Sequence, residues 1–236
     1  MLLLNNHLES NQVVSNKGTL GEFYTRVYAI LAVGVMLSSV TAYAVSTVFY
    51  EQMASFLANV PFGFGILWII EIALVLFLGF KSFTKPVMAT GGFLLYSFIN
   101  GITLSVTLMA YGVETMGQAF LAASATFAAM AIFGSRTKKD LSPLGRAAYI
   151  ALIGIIISMV INFFIGSSAF DLFVTCLTIL VFAGLTAYDH QMIKTYYYNA
   201  QQNQLSLTGV AVFCALQLYM DFINLLIAFA KIFSRD

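Results

Sequence analysis

Charge is scarce in this chain: Lys, Arg, Asp and Glu make up 9% of its 236 residues, whereas a soluble domain carries roughly a quarter. With 60% hydrophobic residues and a mean hydropathy of +0.89, that scarcity excludes a soluble globular domain. The bilayer must solvate most of the apolar side chains. Net charge is +1, and no basic cluster interleaves with aromatics, so nucleic acid is not an expected partner. Proline is rare, and Pro61, Pro86 and Pro143 all avoid the interiors of the long apolar runs. The two cysteines, Cys176 and Cys214, lie inside apolar segments. They make no disulfide framework and read as small hydrophobes. Two histidines, His7 and His190, cannot supply the ligands of a hydrolytic metal centre. No cofactor is expected. The apolar run at Met1–Leu4 is too short for a signal peptide, so the first hydrophobic segment is expected to insert as a retained helix.

A spanning helix needs about 20 mostly apolar residues at ~1.5 Å rise each. Seven stretches qualify: 23–49, 62–80, 87–111, 116–133, 144–165, 169–188 and 205–233. Short polar connections join them and carry the three prolines, as helix breakers should. The expected fold is all-α, a polytopic seven-transmembrane-helix bundle over 23–233, with tails at 1–22 and 234–236. The fourth stretch is rich in alanine, including Ala119, Ala122, Ala123, Ala125, Ala128, Ala129 and Ala131. Small residues let backbones approach closely in lipid, so this span is expected to be shielded by its neighbours.

Charge asymmetry predicts orientation. With the N-terminus cytoplasmic, that side receives Lys17, Arg26, Lys81, Lys85, Arg136, Lys138, Lys139, Arg146 and Lys194. The other side receives Glu51, Glu114 and Asp171, with only Lys231 and Arg235 as basic residues. An odd number of crossings then leaves the C-terminus outside.

Two acids sit inside apparent hydrocarbon: Asp189 at the end of the sixth stretch and Asp221 midway through the seventh. A carboxylate there costs several kcal/mol unless it is paired, protonated or lining a cavity. Glu71 on the second stretch is a third. On the seventh, Cys214, Gln217, Asp221 and Asn224 share a helical face. On the third, Ser97, Asn100, Thr103 and Thr107 form another, and Gln217, Asn224, Asn100 and Thr103 become candidate pore-lining residues. Thr175, Thr178 and Thr186 approximate a face with Asp189, though threonines in helices usually bond back to their own carbonyls. His190 points about 100° away from Asp189 and reads as an interfacial histidine.

The sixth and seventh helices are antiparallel neighbours. If the sixth runs to Tyr198, Asp189 stands ~14 Å above its end, and Asp221 stands ~21 Å above Leu207. Tilt can absorb the ~7 Å mismatch. Two carboxylates that meet cannot both ionise cheaply, so the pair holds one shared proton and titrates as a unit. Fully ionised, it attracts an oxygen-preferring cation such as Ca²⁺.

The segments Ala187-Tyr188-Asp189-His190-Gln191 and Leu216-Gln217-Leu218-Tyr219-Met220-Asp221-Phe222-Ile223-Asn224-Leu225 closely resemble the signatures of the Bax inhibitor-1 family, also called transmembrane BAX inhibitor motif proteins. Gly101-Ile102-Thr103-Leu104-Ser105 and Thr137-Lys138-Lys139-Asp140-Leu141-Ser142 match as well. The resemblance runs from about Phe23 to Phe233, and the short tail and tight loops resemble the bacterial branch. It implies a central helix surrounded by six others and a pH-sensitive Ca²⁺ leak through the membrane. Asp189 and Asp221 match the family's aspartate pair, a transient Ca²⁺ site, and Glu71 matches its acid on helix two. Members with a latch hold the pair through an arginine at the cytoplasmic end of helix two. Here Lys81 is nearest and Lys85 a turn further, so these lysines are the candidate latch. Lysine lacks the bidentate fork of arginine. The bacterial resemblance implies an inner-membrane location and a link to a membrane-bound AAA protease.

An enzyme is not expected. Intramembrane aspartyl proteases need Gly-x-Gly-Asp and a downstream Pro-Ala-Leu, whereas here Leu-Tyr-Met precedes Asp221 and no proline follows Pro143. A retinal-binding bundle needs a lysine in mid-helix seven, and Lys231 is at its end. The alternative is a non-conducting regulatory protein that binds the AAA protease or another membrane partner.

Overall fold

The computed structural model describes residues 18–60 and 62–235. His7, Lys17, Pro61 and most of the tail 1–22 lie outside the described residues. Seven helices follow in order: α1 Leu20–Thr47, α2 Tyr50–Asn59, α3 Gly63–Lys81, α4 Pro86–Arg136, α5 Ser142–Ile165, α6 Ser168–Gln202 and α7 Leu207–Phe233. Local chemistry sets their ends. Thr19 and Glu22 form a reciprocal capping box at α1, satisfying backbone donors that the first turn leaves free. Pro86 opens α4, where its missing N–H costs nothing. Gly166 closes α5 in the left-handed region, and Ser167 and Ser206 cap α6 and α7.

Six of these helices are long and apolar enough to cross a membrane, and α4 does so twice. Its 51 residues are interrupted at Gly112, with φ 81° and ψ 163°, a conformation open to glycine and not to an L side chain. The aromatic contacts show that the chain reverses there. Phe93 packs on Tyr219, and Phe127 packs on Phe222. In a straight helix residues 93 and 127 would stand ~51 Å apart, yet Tyr219 and Phe222 are one turn, ~4.5 Å, apart. The two halves, 86–111 and 113–136, are therefore an antiparallel hairpin, and the seven expected crossings are all present. The stretch between the first two crossings differs from expectation. It is the helix α2 rather than an irregular connection. Ten residues span only ~15 Å, half the hydrocarbon thickness, so α2 does not cross.

Helix α7 is the central element. Runs such as Val210-Ala211-Val212 are buried on successive faces, which only a helix enclosed on all sides can show. Helices α1, α4 and α6 surround it, α3 packs on α4, and α5 packs on α6. The outer helices expose apolar side chains, such as Ile69 and Leu76 on α3 and Ile150, Ile153 and Val160 on α5. Such a surface requires lipid as its solvent.

The alanine-rich span is only half shielded, which corrects the expectation. Ala119, Ala123 and Ala131 are buried, whereas Ala125, Ala128 and Ala129 are exposed. Alanines occupy every face of this half of α4, but only one face meets α6 and α7. Ala123→Leu should therefore lower thermal stability in detergent by about 1–3 kcal/mol, as overpacking does. Ala125→Leu should melt like the unmodified protein. Equal melting of the two variants would contradict this placement.

Candidate functional site

Helices α6 and α7 place the two aspartates. Helix α6 runs to Gln202, four residues past the expected end, so Asp189 stands thirteen residues, ~20 Å, above it. Asp221 stands fourteen residues, ~21 Å, above Leu207. The expected mismatch in depth disappears. Asp189 and Asp221 are 5% and 3% exposed, and each lies within the other's field. Tyr149 of α5 turns its hydroxyl towards Asp189, and Gln217 of α7 lies beside both Tyr149 and Tyr196. Thr186 neighbours Asp221, but its hydroxyl donates to the Phe182 carbonyl at 2.7 Å. Asp189 Oδ1 and Asp221 Oδ2 are buried and receive no donor from the described residues. Buried oxygens of this kind are costly unless a proton or a cation reaches them.

Glu71 belongs to a different cluster. It accepts hydrogen bonds from Thr103 Oγ1 at 2.7 Å and Asn100 Nδ2 at 3.3 Å. Asn100 Oδ1 in turn accepts from the Tyr219 hydroxyl at 2.8 Å, and Tyr219 also meets Ser38 Oγ of α1. Tyr219 and Asp221 are two residues apart, about 200° around the helix. The Glu71 network and the aspartate pair therefore occupy opposite faces of α7, and Asn100 and Thr103 do not share a lining with Gln217. Asn224 also differs from expectation: its Nδ2 donates to the Met220 carbonyl at 2.7 Å, so it serves its own helix.

The lysine latch is not formed. Lys81 and Lys85 are exposed, and among the described residues the only ion pairs join Asp171 to Lys231 and Arg235. Lys81 sits in the last turn of α3 and Lys85 four residues beyond it, where water solvates an ammonium better than a buried carboxyl does. His190 is not interfacial. It is 4% exposed, with Nδ1 2.8 Å from the Tyr28 hydroxyl and Tyr24 tilted against its ring. The threonines behave as expected, with Thr175 and Thr178 donating to the Asp171 and Val174 carbonyls.

Sequence reasoning missed Tyr219, Tyr149 and Gln191. Tyr219 lies inside the α7 signature but not on the face shared by Gln217 and Asp221. Gln191 stands two residues after Asp189. Its Nε2 donates to the Lys139 carbonyl at 2.8 Å, and its Oε1 accepts from Leu141 N at 2.9 Å. In the connection that it grips, two hydrogen bonds from Ser142 hold the Asp140 carboxyl below the usual range. The network makes a prediction. Tyr219→Phe strands Asn100 Oδ1 and should cost about 1–3 kcal/mol, read as a lower melting temperature in detergent. An unchanged melt would mean that the network contributes nothing to stability.

The basic residues gather at one end. Arg26 Nη1 donates to Thr208 Oγ1 at 2.9 Å, Gly209 abuts the Ser82 carbonyl, and Gln191 grips the connection at 139–141. These contacts bring together the segments that carry Arg26, Lys81, Lys85, Arg136, Lys138, Lys139, Arg146 and Lys194. Glu51, Glu114, Asp171, Lys231 and Arg235 lie on segments at the other end.

A family model described as inhibitor of apoptosis-promoting Bax1 matches residues 20–236. A membrane protein of Streptococcus pyogenes serotype M1 is 40% identical over 217 residues, covering 92% of this chain and 94% of its own length. The inner membrane protein YbhL of Escherichia coli strain K12 is 33% identical over 231 residues, covering 96% and 97%.

Proposed function

This chain belongs to the Bax inhibitor-1 family of membrane proteins, and on that footing we propose that Asp189 and Asp221 govern a pH-sensitive Ca²⁺ leak across the bacterial inner membrane. The observation that carries the proposal is two carboxyl groups buried at one depth on antiparallel helices, each with an oxygen that lacks a donor. With one shared proton the pair carries a single negative charge and bridges α6 to α7. Loss of that proton leaves two negative charges that repel one another and draw a divalent cation. Ionisation therefore favours Ca²⁺ occupancy. Tyr149, with Gln217 beside it, orients Asp189, and Glu71 acts separately on the far face of α7.

The test is Ca²⁺ flux into liposomes at a series of pH values. The unmodified protein should conduct in a pH-dependent manner, and Asp189→Asn or Asp221→Asn should remove most of that dependence. An asparagine still hydrogen-bonds but cannot ionise. Absence of flux at every pH would move the non-conducting reading ahead, in which the chain regulates a membrane-bound AAA protease.

We also propose that the basic end is cytoplasmic, by the positive-inside bias. A C-terminal alkaline-phosphatase fusion should be active in a bacterial host and a C-terminal fluorescent-protein fusion dark. The reverse pattern would invert the orientation.

A further inference from the structure

At the end opposite the basic cluster, the chain passes from α1 to α3 through α2, which is too short to cross. The two sides of α2 differ in kind. Glu51, Gln52, Ser55 and Asn59 share one side, and Met53, Phe56 and Leu57 share the other. Met53 is buried, and the Phe56 ring lies against Gly63 at the start of α3. Aromatic rings flank this helix on the outside of the protein. Phe49 and Tyr50 are exposed at its start, and Phe62, three residues past its end, is 88% exposed. Phe62 also holds the left-handed backbone conformation, φ 60° and ψ 20°, which a bulky L residue rarely adopts. We propose that α2 lies in the plane of the lipid–water interface, with the lipid surface as the partner of Phe49, Tyr50 and Phe62.

Level and chemistry both fit that partner. Helix α1 ends its crossing at Thr47 and α3 begins at Gly63, with Phe64, Ile66 and Trp68 exposed from its first turns. The edge of the hydrocarbon therefore falls beside α2. Aromatic rings favour that edge, because an apolar body enters the acyl region while a polar end such as the Tyr50 hydroxyl stays wet. An amphipathic helix at this level sinks its apolar side roughly 5–10 Å below the headgroups and keeps its polar side in water. Glu51 is the only charge on α2, so apolar burial seats the helix and attraction to anionic headgroups does not. In water the Phe62 ring would add a hydration cost to its backbone strain, and lipid removes that cost. The residues buried on α3 are Gly63, Glu71 and Leu78, a narrow line against the bundle. A seated α2 thus also gives α3 a fixed level in the bilayer, whether or not the protein conducts.

Fluorescence tests the depth. Trp68 is the single tryptophan, so a Trp68→Phe protein accepts one reporter at a time. Each variant is reconstituted into phosphatidylcholine vesicles whose acyl chains carry bromine either close to the headgroup or near the chain end. Tyr50→Trp and Phe62→Trp should both lose most of their emission to the shallow bromine and little to the deep one. Ser55→Trp, on the polar side, should instead be quenched by aqueous acrylamide. Native Trp68, six residues or ~9 Å further along α3, serves as the yardstick and should respond more to the deep bromine than either reporter does. Tyr50→Trp involves no positive φ, so it decides the matter even where Phe62→Trp does not fold. Quenching of Tyr50→Trp by acrylamide and not by bromine would put α2 in water and overturn the proposal. Protection from both quenchers would mean that a protein surface, such as a second copy of this chain, covers the rings, and overturns it equally. A Phe62→Trp reporter matched to the deep bromine would overturn it too, because the helix would then dip into the hydrocarbon rather than lie along its edge.

Discussion

The double variant Asp189→Asn/Asp221→Asn is expected to give the same flat pH profile of Ca²⁺ flux as either single variant. The reason is the sharing of one proton. Two uncoupled groups would each add their own titration step, and removing both would flatten the profile further than removing one. A pair that exchanges a single proton titrates as one unit, so the first substitution destroys the step and the second finds nothing left to remove. The two carboxyls are placed for this, buried at matched depth and each with an oxygen that no other group among the described residues serves. Flux recorded across pH for the unmodified protein, both single variants and the double variant decides the matter. Single variants that keep the original profile would take the sensor away from this pair. Single variants that each lose half, with the double losing the remainder, would mean two independent sites.

Replacing Gly134 or Gly209 by valine is expected to cost about 3 kcal/mol or more, the upper range for overpacking. A side chain at Gly134 would strike the backbone carbonyl of Ala187, and one at Gly209 the backbone carbonyl of Ser82. Backbone cannot rotate aside as a flexible side chain does, so whole helices must move apart. At Gly134 the displaced helix is α6, two residues from Asp189, and the pH response should weaken with the melting temperature. At Gly209 the start of α7 leaves the connection between α3 and α4. Gly117 and Gly154 are the controls. None of the described residues lies within 4 Å of a Cβ added at either, so alanine there should be neutral or stabilise by up to about 1 kcal/mol through helix propensity. Thermal melting in detergent of all four variants tests the contrast. Similar melting for Gly209→Val and Gly154→Ala would mean that the helices do not meet as closely as these contacts require.

The sequence by itself determined the class of protein, the number of crossings and the two aspartates. Hydropathy is a property of each segment alone, and a bilayer filters segments by length and polarity, so seven crossings are legible without any tertiary contact. The signature around Asp221 marked the pair because an acid in hydrocarbon is costly enough to stand out in a single chain. Tertiary structure alone decided which polar residues meet. The same face of the third stretch that carries Asn100 and Thr103 pointed equally well to the aspartates or away from them. Only the rotation of α7, with Tyr219 turned to Asn100 and Asp221 turned to α6, separated Glu71 from the pair. The reversal at Gly112, the exposed half of the alanine-rich span and the burial of His190 against Tyr28 were hidden for the same reason. Each depends on which neighbour a helix face meets, and a face pattern repeating every 3.6 residues names the face but not its partner.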